Sequence, residues 1–166
     1  MADLLLKEIS MSKKWNLLIP FKLWNALGNS RMEIQNLATE HQLKICIYTH
    51  DRNVLECLSA DVNVSMYTRS KPYGRFDSIR NFLLADDHAQ TSIILGVTDD
   101  DLYIATNTKT LLLAPDWING VSQLVEKYGV HIQTPKILSS MVGVLQNQKA
   151  LRQVEVIDFW KFVKWC

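Results

Sequence analysis

A hydroxyl residue, Thr49, a lysine set before a proline, Lys71 in RSKPYGRFDSI, and three consecutive aspartates, Asp99, Asp100 and Asp101 in GVTDDDL, follow one another along the chain. An ammonium group and a hydroxyl can hold phosphoryl oxygens through charge-assisted hydrogen bonds. Neighbouring carboxylates can hold a hard cation such as Mg2+. Each residue also has an ordinary use. Thr49 can cap a turn, a lysine before Pro72 is commonly a solvated loop residue, and aspartates at a strand-to-helix junction cap the helix and complement its dipole. Their weight as a set comes from order and spacing, and that depends on the elements that carry them.

Five apolar runs have the length and composition of strands: WNLLI (15–19, ending at Pro20), KICIYT (44–49), VNVSMYT (62–68), TSIILGVT (91–98) and TLLLAP (110–115). Helical patterns separate them: MEIQNLATEHQL, NVLECLSA, FDSIRNFLLADD with Phe76, Ile79, Phe82 and Leu83 at helical spacing, and DDLYIATNT. After Trp117 come a helix over INGVSQLVEKYG stopped by Gly129, an edge-like HIQT, and a helix opened by Thr134 as N-cap with Pro135 in its first position. The alternation predicts an α/β three-layer sandwich, a parallel Rossmann-like sheet flanked by helices. In such a sheet ligands bind beyond the carboxyl ends of the strands. The residues found there are Pro20 and Lys22 in LIPFKLW, read as a strand handing over to a loop, then Thr49, Lys71 and Asp99–Asp101.

The composition, 48% hydrophobic and 21% charged, is that of a globular protein, and 166 residues predict a single domain with a core over about 15–147. Eighteen basic residues against seventeen acidic ones leave a net charge of +1, so no global field draws the chain to nucleic acid or to an anionic membrane. The three cysteines, Cys46, Cys57 and Cys166, have no metal-like spacing and predict a reducing, cytoplasmic setting. Cys46 alternates with Ile45 and Ile47 and reads as a small core residue with an inert thiol. The amino-terminal MADLLLKEISMSKKW is neither a signal peptide nor a membrane span, and the aromatic carboxy-terminal stretch (151–166) reads as an amphipathic element. His50 and Asp51 beside Thr49 point different ways on an extended chain, and His41, His88 and His131 have no convergent partners in the sequence.

Taken together, ICIYT, RSKPYGRFDSIRNFL and SIILGVTDDDLYIATNTKTLLLAP resemble the haloacid dehalogenase-like superfamily, over roughly residues 15–145. The resemblance implies a Rossmann-like sheet and, for most members, a Mg2+-dependent phosphatase. It implies phosphoryl binding by Thr49 and Lys71, with Asp101 aligning to the second carboxylate of the acidic loop. It also implies an Asp-x-Asp at the end of the first strand, whose first aspartate attacks phosphorus and whose second acts as acid and base. The positions here are Pro20 and Lys22. Proline has no nucleophile, and a protonated lysine repels a metal cation. Val97 stands where the loop's opening carboxylate is expected. Reading YTHD as the nucleophile motif instead, with Thr49 and Asp51 in those seats and Thr68 as the hydroxyl residue, leaves too little chain for the intervening helix.

The expectation is a capless, non-catalytic domain that binds an anionic or phosphate-bearing ligand through Lys22, Thr49 and Lys71, or a protein partner, as a regulatory module. No cofactor is expected. The alternative is a divergent Mg2+-dependent phosphatase with a rearranged acidic site, in which Asp99 or Asp101 would hold the metal.

Overall fold

The runs LLI, IIL and LLLA carry no polar break, and such runs are stable only where both faces of a sheet are covered. The computed structural model, which describes residues 15–49, 64–68 and 77–148, has this form. Its strands are β1 (Asn16–Pro20), β2 (Lys44–Thr49), β3 (Val64–Thr68), β4 (Ser92–Leu95), β5 (Leu111–Pro115) and β6 (Val130–Ile132). They pair in parallel in the order β3-β2-β1-β4-β5-β6. The helices are α1 (Phe21–Ala26), α2 (Ser30–Glu40), α3 (Asp77–Leu84), α4 (Asp99–Thr108), α5 (Gln123–Tyr128) and α6 (Pro135–Gln148), with a 3-10 segment over Ala85–Thr91.

Alternation along each strand divides the core in two. Leu17 and Ile19 of β1, Ile45 and Ile47 of β2, and Ile93 and Leu95 of β4 face α1, α2 and α6, and are buried with Leu23, Trp24, Ile34, Leu37, Leu138 and Val142. Leu18, Cys46, Tyr48 and Ile94 face the other way, onto Ile79 and Leu83 of α3, Ile104 and Ala105 of α4, and Val125 of α5. Each fully buried aliphatic side chain contributes about 1.5–3 kcal/mol of transfer free energy, so both layers are needed to offset the chain entropy of ordering.

The structure differs from the sequence reading at several points. The strand expected over TSIILGVT (91–98) is confined to Ser92–Leu95, and Gly96–Thr98 turn into α4. LIPFKLW does not enter a loop: Pro20, at φ −62° and ψ 143°, is the N-cap of α1, so Lys22 lies in the first turn of a helix. The helix expected over FDSIRNFLLADD ends at Leu84, because Asp86 and Asp87 adopt left-handed conformations (φ 50° and 58°) that aspartate tolerates better than most residues. The helix expected over INGVSQLVEKYG is shorter, starting at Gln123. Ser122 is extended there and caps the helix, its side chain accepting from the Val125 N–H. The helix expected over NVLECLSA, the amino-terminal segment and the tail 151–166 lie outside the described residues. Among the described residues no helix is long and apolar enough to cross a membrane.

Candidate functional site

The strand order reverses direction at β1 and β4: from β1 the chain builds outward through β2 to β3, then returns to place β4 on the other side of β1. The connections leaving the two central strands diverge, and the crevice beyond their carboxyl ends is where open α/β sheets bind ligands. From β1 it receives Pro20 and α1. From β4 it receives the turn Gly96–Thr98 and the amino terminus of α4.

Asp101 forms the floor of this region. It sits in the first turn of α4 but points back beneath the turn and is only 1% exposed. The Val97 N–H donates to its Oδ2 at 2.8 Å and the Thr98 N–H to the same oxygen at 2.9 Å. Its Oδ1 accepts from the hydroxyl of Tyr48, which is itself 1% exposed. Thr98 and Asp101 form a capping box, which fixes the start of the helix. The close approach depends on Gly96, where a Cβ would meet Leu112 Cδ1 at 2.5 Å and Asp101 Cβ at 3.2 Å. Burial raises the pKa of Asp101 against the opposing pull of its hydrogen bonds. Burial, and then the neighbouring Asp101, push the Tyr48 phenol well above its ordinary range. Tyr48 therefore keeps its proton and remains the donor.

Above this floor lies an open cleft of about 350 Å³. Lys22 lines it from α1, Val97, Thr98, Asp99 and Asp100 from the β4–α4 turn, and Gly120 and Ser122 from the loop between β5 and α5. That loop is tied to the turn by the Ser122 N–H, which donates to the Val97 carbonyl at 2.7 Å. The N–H groups of Asp99 and Asp100 open α4, where backbone donors have no intrahelical acceptor. The cleft thus offers an ammonium, the Ser122 hydroxyl and helix-terminal N–H groups beside two carboxyl groups, while the Thr98 hydroxyl is bonded to Asp101.

The structure brings Lys22, Asp99 and Asp100 together. Thr49 is buried at the end of β2 and shares the face of Ile45 and Ile47, away from Tyr48 and Asp101; it is not among the residues that line the cleft. Asp101 is beneath the cleft rather than in it. Pro20 ends β1 opposite Tyr48. Lys71, His50 and Asp51 lie outside the described residues.

Mg2+ requires near-octahedral oxygen ligands at about 2.0–2.1 Å. Both oxygens of Asp101 are committed to protein donors, and Val97 brings no oxygen side chain to the turn. Among the described residues no three His, Cys, Asp or Glu side chains are grouped so as to hold a metal ion. Asp101 is therefore unavailable to a cation, and the carboxyl groups that line the cleft are those of Asp99 and Asp100.

No known family model, curated protein or solved structure matches the chain. The site therefore stands on its own geometry.

Sequence reasoning missed Tyr48, Gly120 and Ser122. Tyr48 reads as one more apolar residue of a buried strand, and its partner is 53 positions away. Gly120 and Ser122 fall within a stretch read as continuous helix. The serine three residues before a buried valine was the available signal for a cap at that point.

Proposed function

We propose that the domain binds an anionic, phosphate-like group in the cleft between α1 and the β4–α4 turn without transforming it, and serves as a regulatory or interaction module. The observation that carries this reading is the commitment of Asp101: the carboxyl group buried beneath the cleft is held by Tyr48 and two backbone N–H groups, while β1 ends in Pro20. Neither position supplies a nucleophile, and covalent phosphoryl transfer needs one to divide a barrier that enzymes lower by more than about 8 kcal/mol. Lys22, Ser122 and the first N–H groups of α4 are the anion's partners in this account. Asp99 and Asp100 oppose it by like charge and set a ceiling on affinity. The sequence resemblance and the Rossmann-like strand order support reading the chain as a capless haloacid dehalogenase-like domain that has lost its attacking residue.

Two measurements on the purified protein test the reading. Inorganic phosphate should raise the melting temperature, since a ligand at one hundred times its Kd stabilises the native state by about 2.7 kcal/mol. The rise should vanish in Lys22→Glu and grow in Asp99→Asn. Hydrolysis of p-nitrophenyl phosphate with Mg2+ or Mn2+ should be undetectable. Turnover abolished by Asp99→Asn or Asp100→Asn would instead establish the divergent phosphatase.

A further inference from the structure

His131, in β6, has an acceptor at each ring nitrogen. Nδ1 is 2.7 Å from Asp116 Oδ1, and Nε2 is 2.6 Å from the backbone carbonyl of Glu126. A neutral imidazole has one N–H and can satisfy only one of them. Both bonds are made only by the imidazolium. The Glu126 carbonyl belongs to the last turn of α5, whose carbonyls lack intrahelical donors and carry the negative end of the helix dipole, so a cation is favoured there.

The two acceptors stand at opposite ends of one functional segment. Asp116 is the first residue after β5, where its N–H donates to the Ile132 carbonyl at 2.8 Å. Glu126 lies in α5, with its N–H donating to the Ser122 carbonyl at 3.0 Å. Between them runs the loop that carries Gly120 and Ser122 into the cleft.

We propose that His131 is a pH-sensitive staple for this loop: protonated, it joins Asp116 to α5 and fixes Gly120 and Ser122 against the β4–α4 turn, and deprotonated it gives up one bond and lets the loop relax. The charged groups on the segments packed around β6 are Asp116, Glu126, Lys127 and Lys136. Asp116 and Glu126 act on the ring, while Lys127 leans over the Tyr128 ring at 5.2 Å. The hydrogen bonds to Asp116 and then to Glu126 raise the His131 pKa. A raised folded-state value means that the staple's contribution is complete below the unfolded pKa and is lost as pH rises through the folded pKa. The device operates whether or not the cleft holds an anion.

NMR titration of the full chain without added ligand, following the imidazole nitrogens and the backbone amides from mildly acidic to mildly alkaline pH, tests this. The His131 midpoint should lie above about 6.5, the value of an unperturbed histidine. The amides of Gly120 and Ser122 should shift with the same midpoint. Asp116→Asn should lower that midpoint and carry the amide transition with it, and His131→Gln should abolish the transition. A His131 midpoint at the unperturbed value and indifferent to Asp116→Asn would overturn the proposal, as would Gly120 and Ser122 amides that stay still while His131 titrates.

Discussion

The hydroxyl of Tyr48, at the end of β2, donates to the carboxyl group of Asp101, in the first turn of α4, joining the two sides of the strand-order reversal beneath the cleft. An acidic residue that the sequence offers as a metal ligand is here a bolt between sheet and helix. The consequence for function is direct. What lines the cleft above it is Lys22, Thr98, Ser122 and the carboxyl groups of Asp99 and Asp100, the groups on which the proposed anion binding rests.

Removing the phenol oxygen leaves Asp101 Oδ1 buried without its Tyr48 donor. Tyr48→Phe is expected to lower stability by about 1–3 kcal/mol, the cost of an unsatisfied buried polar group. In a chain of this length each kcal/mol corresponds to about 2–4 °C in Tm. Thermal unfolding of the two proteins gives the answer, and equal melting temperatures would show that the pair contributes nothing.

The raised pKa of Asp101 gives stability a defined pH dependence. Burial disfavours its charged form relative to the unfolded chain, so the side chain's contribution is largest below the ordinary carboxylate range and falls as pH rises through the folded value. The carboxamide introduced by Asp101→Asn does not titrate. The stability of the natural protein minus that of Asp101→Asn should therefore decrease with rising pH across that window in urea unfolding series. A difference that grows with pH would reverse the assignment.

Much of the fold was legible in the sequence for reasons that are local. ICIY, IIL and LLLA carry the unbroken apolar character of strands buried on both faces, and Pro135 after Thr134 marks the start of α6. Where the reading differed, a single residue's backbone preference prevailed over hydrophobic periodicity: Pro20 capping α1, Asp86 and Asp87 turning left-handed, and Ser122 breaking an apparent helix. The site was legible in part. Lys22, Asp99 and Asp100 meet at the cleft because strand ends converge there in any such sheet. The inward turn of Asp101 and the acceptors around His131 were not legible, because they depend on tertiary partners: Tyr48 for one, Asp116 and the carbonyl of Glu126 for the other.

Two glycines should respond differently to an added methyl group. At Gly129 a Cβ would meet the backbone carbonyl oxygen of Val125 at 2.7 Å, whereas at Gly96 the nearest atom is a side-chain methyl of Leu112. Overpacking of this kind costs about 1–3 kcal/mol. Gly129→Ala should be the more destabilising of the two in chemical unfolding, since helix backbone cannot swing aside as a leucine methyl can.

Burial pushes the Cys46 thiol up to about 12. The thiolate is the reactive form, so Cys46 should resist iodoacetamide in the native protein at mildly alkaline pH and react only on unfolding. Peptide mapping of the alkylated chain isolates this residue from Cys57 and Cys166. Rapid native modification at Cys46 would show that β2 opens far more readily than its packing implies.

The central claim is that the cleft holds an anion without attacking it, and an NMR titration with inorganic phosphate tests it most directly. The amides of Thr98, Asp99, Gly120 and Ser122 should shift in a saturable way in the natural protein and stay unmoved in Lys22→Glu. Saturable shifts that persist in Lys22→Glu, or none at these amides in the natural protein, would contradict the account.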